Sequence, residues 1–182
     1  MKDPENSFYS RAHLRSLDAE SLRDAMLTLA GTLDGRAGGP SLPKGFKSEF
    51  GYEFTTLKRS VYVPVFRNSS YEMFSVFDFA NPNFTVGKRA ESNIPTQMLF
   101  LTNSQFVYDR SIEASSELLR LGTETREKRI ELAFRRTLGR PPSSEELELA
   151  RGFVSDMQAS DVEAWAGLQR ALFGSIDFRY LR

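Results

Sequence analysis

The sequence predicts a mainly α-helical single domain. It combines several helices with a short extended or β pair near residues 53–66 and a long ordered loop at 77–97. Three observations predict this. The last third is a nearly unbroken series of segments with apolar residues at helical spacing, divided by glycine and proline. Alternating β-branched residues are confined to one short place. The length of 182 residues suits one domain, and 40% hydrophobic with 26% charged residues is ordinary globular composition. A chain of this size can bury roughly 70% of its unfolded surface, so it needs no metal or disulfide to fold.

Taken in order, the first periodic segment is "LDAESLRDAMLTLAGTLDG". Leu22, Ala25, Met26, Leu29 and Leu33 follow helical spacing, Asp18 can cap the start, and Gly31 or Gly35 can end it. "GRAGGPSLPKG" is a glycine- and proline-rich loop. "YEFTTL" and "SVYVPVF" read as extended runs around Lys58, Arg59 and Ser60. Pro64 confines the second to a sheet edge because it cannot donate to a ladder. "SSYEMFSVFD" begins with a capping pattern, Ser69 with Glu72, before a short helix. "FDFANPNFTVGKRAESNIPTQ" then shows neither period. It is expected to wrap over the helices with its aromatics buried and its Asp and Arg bonded inward, because a long loop has many backbone groups to satisfy.

Pro95 suits the first turn of the next helix, and Asn103 or Ser104 can cap a further one that ends at Gly122. Ile130, Ala133, Phe134 and Thr137 then share a face up to Gly139. Two more helices open with capping boxes, Ser143 with Glu146 and Ser160 with Glu163. The second carries Val162, Trp165, Leu168, Leu172 and Phe173. Short loops between these helices imply antiparallel neighbours.

Composition excludes several chemistries. There is no cysteine, which removes disulfides, thiolate nucleophiles and covalent haem attachment, and His13 is the only histidine. Zinc, iron and Ser-His-Asp sites are therefore not expected. Lys+Arg and Asp+Glu are 24 each, so no overall field draws in nucleic acid. The basic residues of "TREKRIELAFRRTLGR" are interleaved with glutamates and read as a salt-bridged face. No apolar run approaches the roughly 20 residues of a spanning helix. The start, "MKDPENSFYSRAHLRS", lacks the apolar core of a secretion signal.

Asp78, Asn81 and Asn83 offer three oxygen ligands within a short span. They lack the glycine and closing glutamate of a helix–loop–helix calcium site and are expected to stabilise turns, so no metal or other cofactor is expected. Asp78 is the one candidate for a catalytic acid or base. Arg67, Tyr71, Asp78, Phe79, Arg89, Gln97 and Asn103 form the candidate binding set, with Tyr71, Phe79 and Phe84 as platforms and the arginines as anion or sugar-hydroxyl contacts.

"RSVYVPVFRN", "FDFANPN" and "GKRAESNIPTQMLFLTNSQFV" resemble the domain-of-unknown-function family numbered 1553, the planctomycete PSD-one domain. The N-terminal "LRSLDAESLRDAMLTLAGTLDGRAGGPSL" resembles the preceding part of that family. "RIELAFRRTLGRPPSSEELELARGFV" and "WAGLQRALFGSIDFRYL" resemble its end. The recurrent positions fall on Arg59, Tyr62, Asp78, Pro82, Arg89, Pro95, Gln97 and Asn103. Ser92 and Asn93 replace two expected threonines, and Ile176-Asp177-Phe178 replaces an expected Asn-Glu-Phe stretch. The resemblance implies a chain corresponding to the C-terminal portion of a larger, exported or envelope-associated bacterial protein. Its implied partners are adjacent domains of the longer polypeptide or another protein, with a glycan as a further option. The expected function is a non-catalytic binding or scaffolding module. The alternatives are a hydrolase of complex polysaccharide using Asp78, or an accessory domain packing on a separate c-type haem domain.

Overall fold

The structure is a computed structural model that describes residues 3–156 and 161–181. The described residues form eight helices and one two-stranded antiparallel sheet, so the fold is mainly α, as the sequence predicts. The helices are α1 (Ala19–Leu29), α2 (Glu72–Val76), α3 (Pro95–Asn103), α4 (Gln105–Arg120), α5 (Arg126–Leu138), α6 (Ser144–Asp156), α7 (Asp161–Gly174) and α8 (Ile176–Arg179). The sheet joins β1 (Arg15–Ser16) to β2 (Tyr180–Leu181).

Local chemistry explains most boundaries. The Asp18 side chain accepts from the Ser21 amide at 2.7 Å and caps α1. α6 opens with the reciprocal box: Ser143 N donates to Glu146, and Glu146 N donates to the Ser143 hydroxyl. Gly139 closes α5 at φ +70°, a left-handed conformation that residues with a side chain rarely adopt. α3 and α4 are separated only by Ser104, a single extended residue that makes no side-chain cap. Ser69 does not cap α2 either. The helix starts after Tyr71 without a side-chain bond. The cap expected at Ser160 lies outside the described residues.

α7 packs most extensively on α4 and also touches α3, α5, α6 and α8. One core cluster joins Ala19, Leu22 and Met26 of α1 to Met73, Phe74, Phe77, Phe100, Leu101, Val107, Phe173 and Phe178. A second joins Leu118 to Ile130, Ala133, Phe134, Ala150, Val154, Trp165, Leu168 and Leu172. Each fully buried aliphatic side chain contributes about 1.5–3 kcal/mol.

The sheet is not where the sequence suggests. Residues 53–66 form no ladder with one another. Their only bridge is Lys58 with Asp34, and Ser60–Tyr62 is a 3-10 turn. The paired strands instead tie the two ends of the chain together, Arg15 opposite Leu181 and Ser16 opposite Tyr180. The reason lies in α1. Arg23 donates to the Thr56 and Lys58 carbonyls, and Asp24 accepts from the Ser60 amide at 2.8 Å and its hydroxyl at 2.7 Å. Side chains of a helix take the groups that a neighbouring strand would otherwise bond.

The loop between α2 and α3 is anchored at its ends. Phe77 is buried and Phe79 half-buried, but Phe84 is 73% exposed. The expectation that all three rings turn inward therefore holds at the start of the loop and not at its crest. There the chain runs over the surface, and residues 83–91 are all exposed.

Candidate functional site

Two fastenings organise the region around the loop. The first is Asp78, which sits just after α2 at φ +57°, a conformation that Asp tolerates better than most residues. Its carboxylate accepts from the Ser92 amide at 2.7 Å and from the Ser92 hydroxyl at 2.8 and 2.9 Å, closing the loop across 14 residues. Gln97, 2% exposed in the first turn of α3, extends the knot. Its Nε2 donates to the Val76 carbonyl and the Ser92 hydroxyl, and its Oε1 accepts from Arg179 at 2.7 Å. Arg179 comes from α8, so the loop is bound to the end of the chain.

The second fastening is Arg89. It makes a bidentate pair with Glu20 of α1 at 2.7 and 2.8 Å and lies 4.8 Å from the Phe79 ring centroid. The bonds to Glu20 hold its pKa above the ordinary arginine value. Burial pushes Asp18 upward, but the bonds from Ser21 and the nearby Arg89 and Arg15 hold it lower overall.

Beneath the loop runs a chain of aromatic contacts. Phe46 stacks on Phe66 at 5.4 Å, Tyr52 and Phe54 follow, Tyr71 stacks on Phe54 at 5.1 Å, and Phe74 stacks on Phe79 at 4.8 Å. Arg23, 1% exposed, lies 5.8 Å from the Tyr71 ring centroid and 6.0 Å from that of Phe106. Burial raises the Tyr71 hydroxyl pKa, and Arg23 partly offsets it. Five of the 15 phenylalanines of the chain belong to this spine.

Three clefts border these groups. One of about 640 Å³ lies between α1 and residues 59–65 and includes Phe79 and Arg89. One of about 280 Å³ is lined by Phe66, Arg67, Tyr71, Phe74, Phe79 and Asn81, among others. The third, about 320 Å³, holds Asp78, Arg89, Ser92 and Gln97 with Asp18 and Glu91.

The seven predicted residues thus divide. Asp78, Arg89 and Gln97 share a cleft, and Phe79 adjoins it beneath Arg89. Arg67 and Tyr71 line the neighbouring aromatic cleft. Asn103 ends α3 in a separate depression with Leu99 and Phe106. Asn81 Oδ1 accepts from the Asn83 amide at 2.9 Å within the turn, and Asn83 Nδ2 donates to the Arg67 carbonyl at 3.0 Å. His13 contacts Asn6 and Tyr9 in the N-terminal segment. Sequence reasoning missed Arg23, Asp24, Glu20 and Arg179. Arg23 had one legible signal: it lies three residues before Met26 and four before Leu27, on the edge of the apolar stripe.

A family model described as PSD1, "Protein of unknown function (DUF1553)", matches residues 1–154. No curated protein and no solved structure matches the chain.

Proposed function

The chain belongs to the PSD1 (DUF1553) family, and from that premise we propose that it is a non-catalytic binding or scaffolding module of a larger extracytoplasmic bacterial protein. It presents a surface to a partner domain or a glycan. One observation carries the reading: the polar groups with the most chemical potential are engaged with one another. Both Asp78 oxygens accept from Ser92, Arg89 clasps Glu20, and Gln97 is buried between Ser92 and Arg179. A general acid or base must reach the proton it moves. Asp78 is turned to a serine of its own loop.

The test compares wild type, Asp78→Ala and Asp78→Asn against a panel of polysaccharides, with thermal shift and reducing-end release as readouts. The reading predicts no turnover by any of them. It also predicts that Asp78→Ala unfolds with about 2–4 kcal/mol less stability, because the Ser92 donors lose an ionised acceptor. Reducing-end release by wild type that disappears in a folded Asp78→Asn would make the protein a hydrolase.

A further inference from the structure

The strand signal of "SVYVPVF" finds no partner within the fold. Val63 is extended, and residues 64–66 continue with no helix, turn or ladder. The Val63 amide returns to the Ser60 carbonyl at 3.0 Å, whereas the amides of Val65, Phe66 and Arg67 meet no acceptor among the described residues. Val61 and Val65 are exposed at 72% and 48%, while Val63 is buried and Phe66 stacks on Phe46. A β-branched stretch outside any helix, with unpaired amides and Val65 turned outward, fits an incoming strand.

The charges around it say which kind. In the cleft beside α1 every carboxylate is already bonded: Asp18 caps the helix, Glu20 holds Arg89, and Asp24 holds Ser60. Arg59, on that same cleft, is exposed and its guanidinium has no partner among the described residues. The aromatic cleft on the other side of Val65 contains no carboxylate. Its one cation, Arg67, is likewise exposed with a free guanidinium. The unmatched charge lining both clefts is therefore positive, and the two arginines stand at most about 27 Å apart along the chain.

We propose that residues 63–67 receive an extended acidic peptide segment of a partner, which pairs with the free amides of Val65 and Arg67. Its side chains would enter the aromatic cleft of Phe66, Tyr71, Phe74 and Phe79, and its carboxylates would meet Arg59 and Arg67. This rests on the binding-module reading and specifies its partner. Main-chain bonds supply affinity in such additions, and the charge pairs supply selectivity.

The probe is a fluorescein-labelled hexapeptide of alternating valine and threonine with an aspartate at each end. It is compared with the same peptide ended by lysines and with polygalacturonate. The acidic peptide is expected to bind about tenfold more tightly than the lysine form. It should also slow hydrogen exchange at the Val65 and Arg67 amides of the wild type. Arg59→Glu with Arg67→Glu should reverse the preference, and Val65→Pro should weaken binding of the acidic peptide. Both variants change exposed side chains, and thermal melts check their folding. Equal binding of the two peptides, no binding of the acidic one, or unchanged exchange at Val65 overturns the proposal. Binding of polygalacturonate alone also overturns it while leaving the binding-module reading standing. Only turnover dependent on Asp78 sinks that parent reading.

Discussion

Arg23 shows how one side chain decides the shape of a remote segment. It is buried on α1, and its guanidinium donates to the carbonyls of Thr56 and Lys58 and to the Ser60 hydroxyl. Replacing it with leucine keeps the volume roughly but leaves these acceptors without donors in a dry site. Urea unfolding of Arg23→Leu is expected to show about 2–4 kcal/mol less stability. Arg23→Lys should recover only part of the loss, because an ammonium cannot reproduce a planar fork that spans two carbonyls. Full stability in Arg23→Leu would mean the clasp is incidental. In the sequence this arginine carries no signal beyond its place at the edge of the apolar stripe of α1. Asp78 and Gln97 were easier to single out because they sit in a stretch with no period to explain them.

Among the elements, capping chemistry was the most legible. Asp18 and the Ser143–Glu146 box stand where the local pattern puts them. Ser69 does not cap, because α2 begins three residues later with Glu72, and Tyr71 holds the cap position. Strands were misplaced for a different reason. The preference of Val61, Val63 and Val65 for extended backbone is local, but a ladder needs a second segment at the right spacing. The nearest one, 53–58, is held by α1 instead. The two strands that do pair are only two residues each, too short to leave a pattern.

The junction of α5, α6 and α8 has a testable pH signature. Arg140 bonds both Glu146 and Asp177. That guanidinium, with the Ser143 amide, lowers the Glu146 pKa from the ordinary 4.5 to about 2. A carboxyl depressed on folding stabilises the folded state above its unfolded value. As pH falls below about 4.5 the unfolded chain takes up the proton first, and this contribution fades toward pH 2. The pair is partly exposed, so the loss is at most about 1 kcal/mol. Acid denaturation of Glu146→Gln should lack this increment, and an identical acid profile for the variant and wild type would contradict it.

For the molecule as a whole, the helical class followed from periodicity in the last third, and the packing of α7 at the centre bears that out. The core does not stop where the family match ends. Trp165, Leu168, Leu172, Phe173 and Phe178 all lie beyond residue 154 and belong to the two buried clusters. What the sequence could not show is closure over distance. Arg179 reaches Gln97 across 82 residues, and Arg15 pairs with Leu181, contacts with no signature at either end. The account turns on the loop after α2 being a fastened part of the fold, held by Asp78 and crossing the surface between its anchors. Native-state hydrogen exchange at the Ser92 amide tests this most directly. We expect Ser92, bonded to Asp78, to exchange only through large-scale opening, while Val86 and Lys88, whose amides have no acceptor among the described residues, exchange at nearly unprotected rates. A Ser92 amide that exchanges as fast as Val86 would contradict the account.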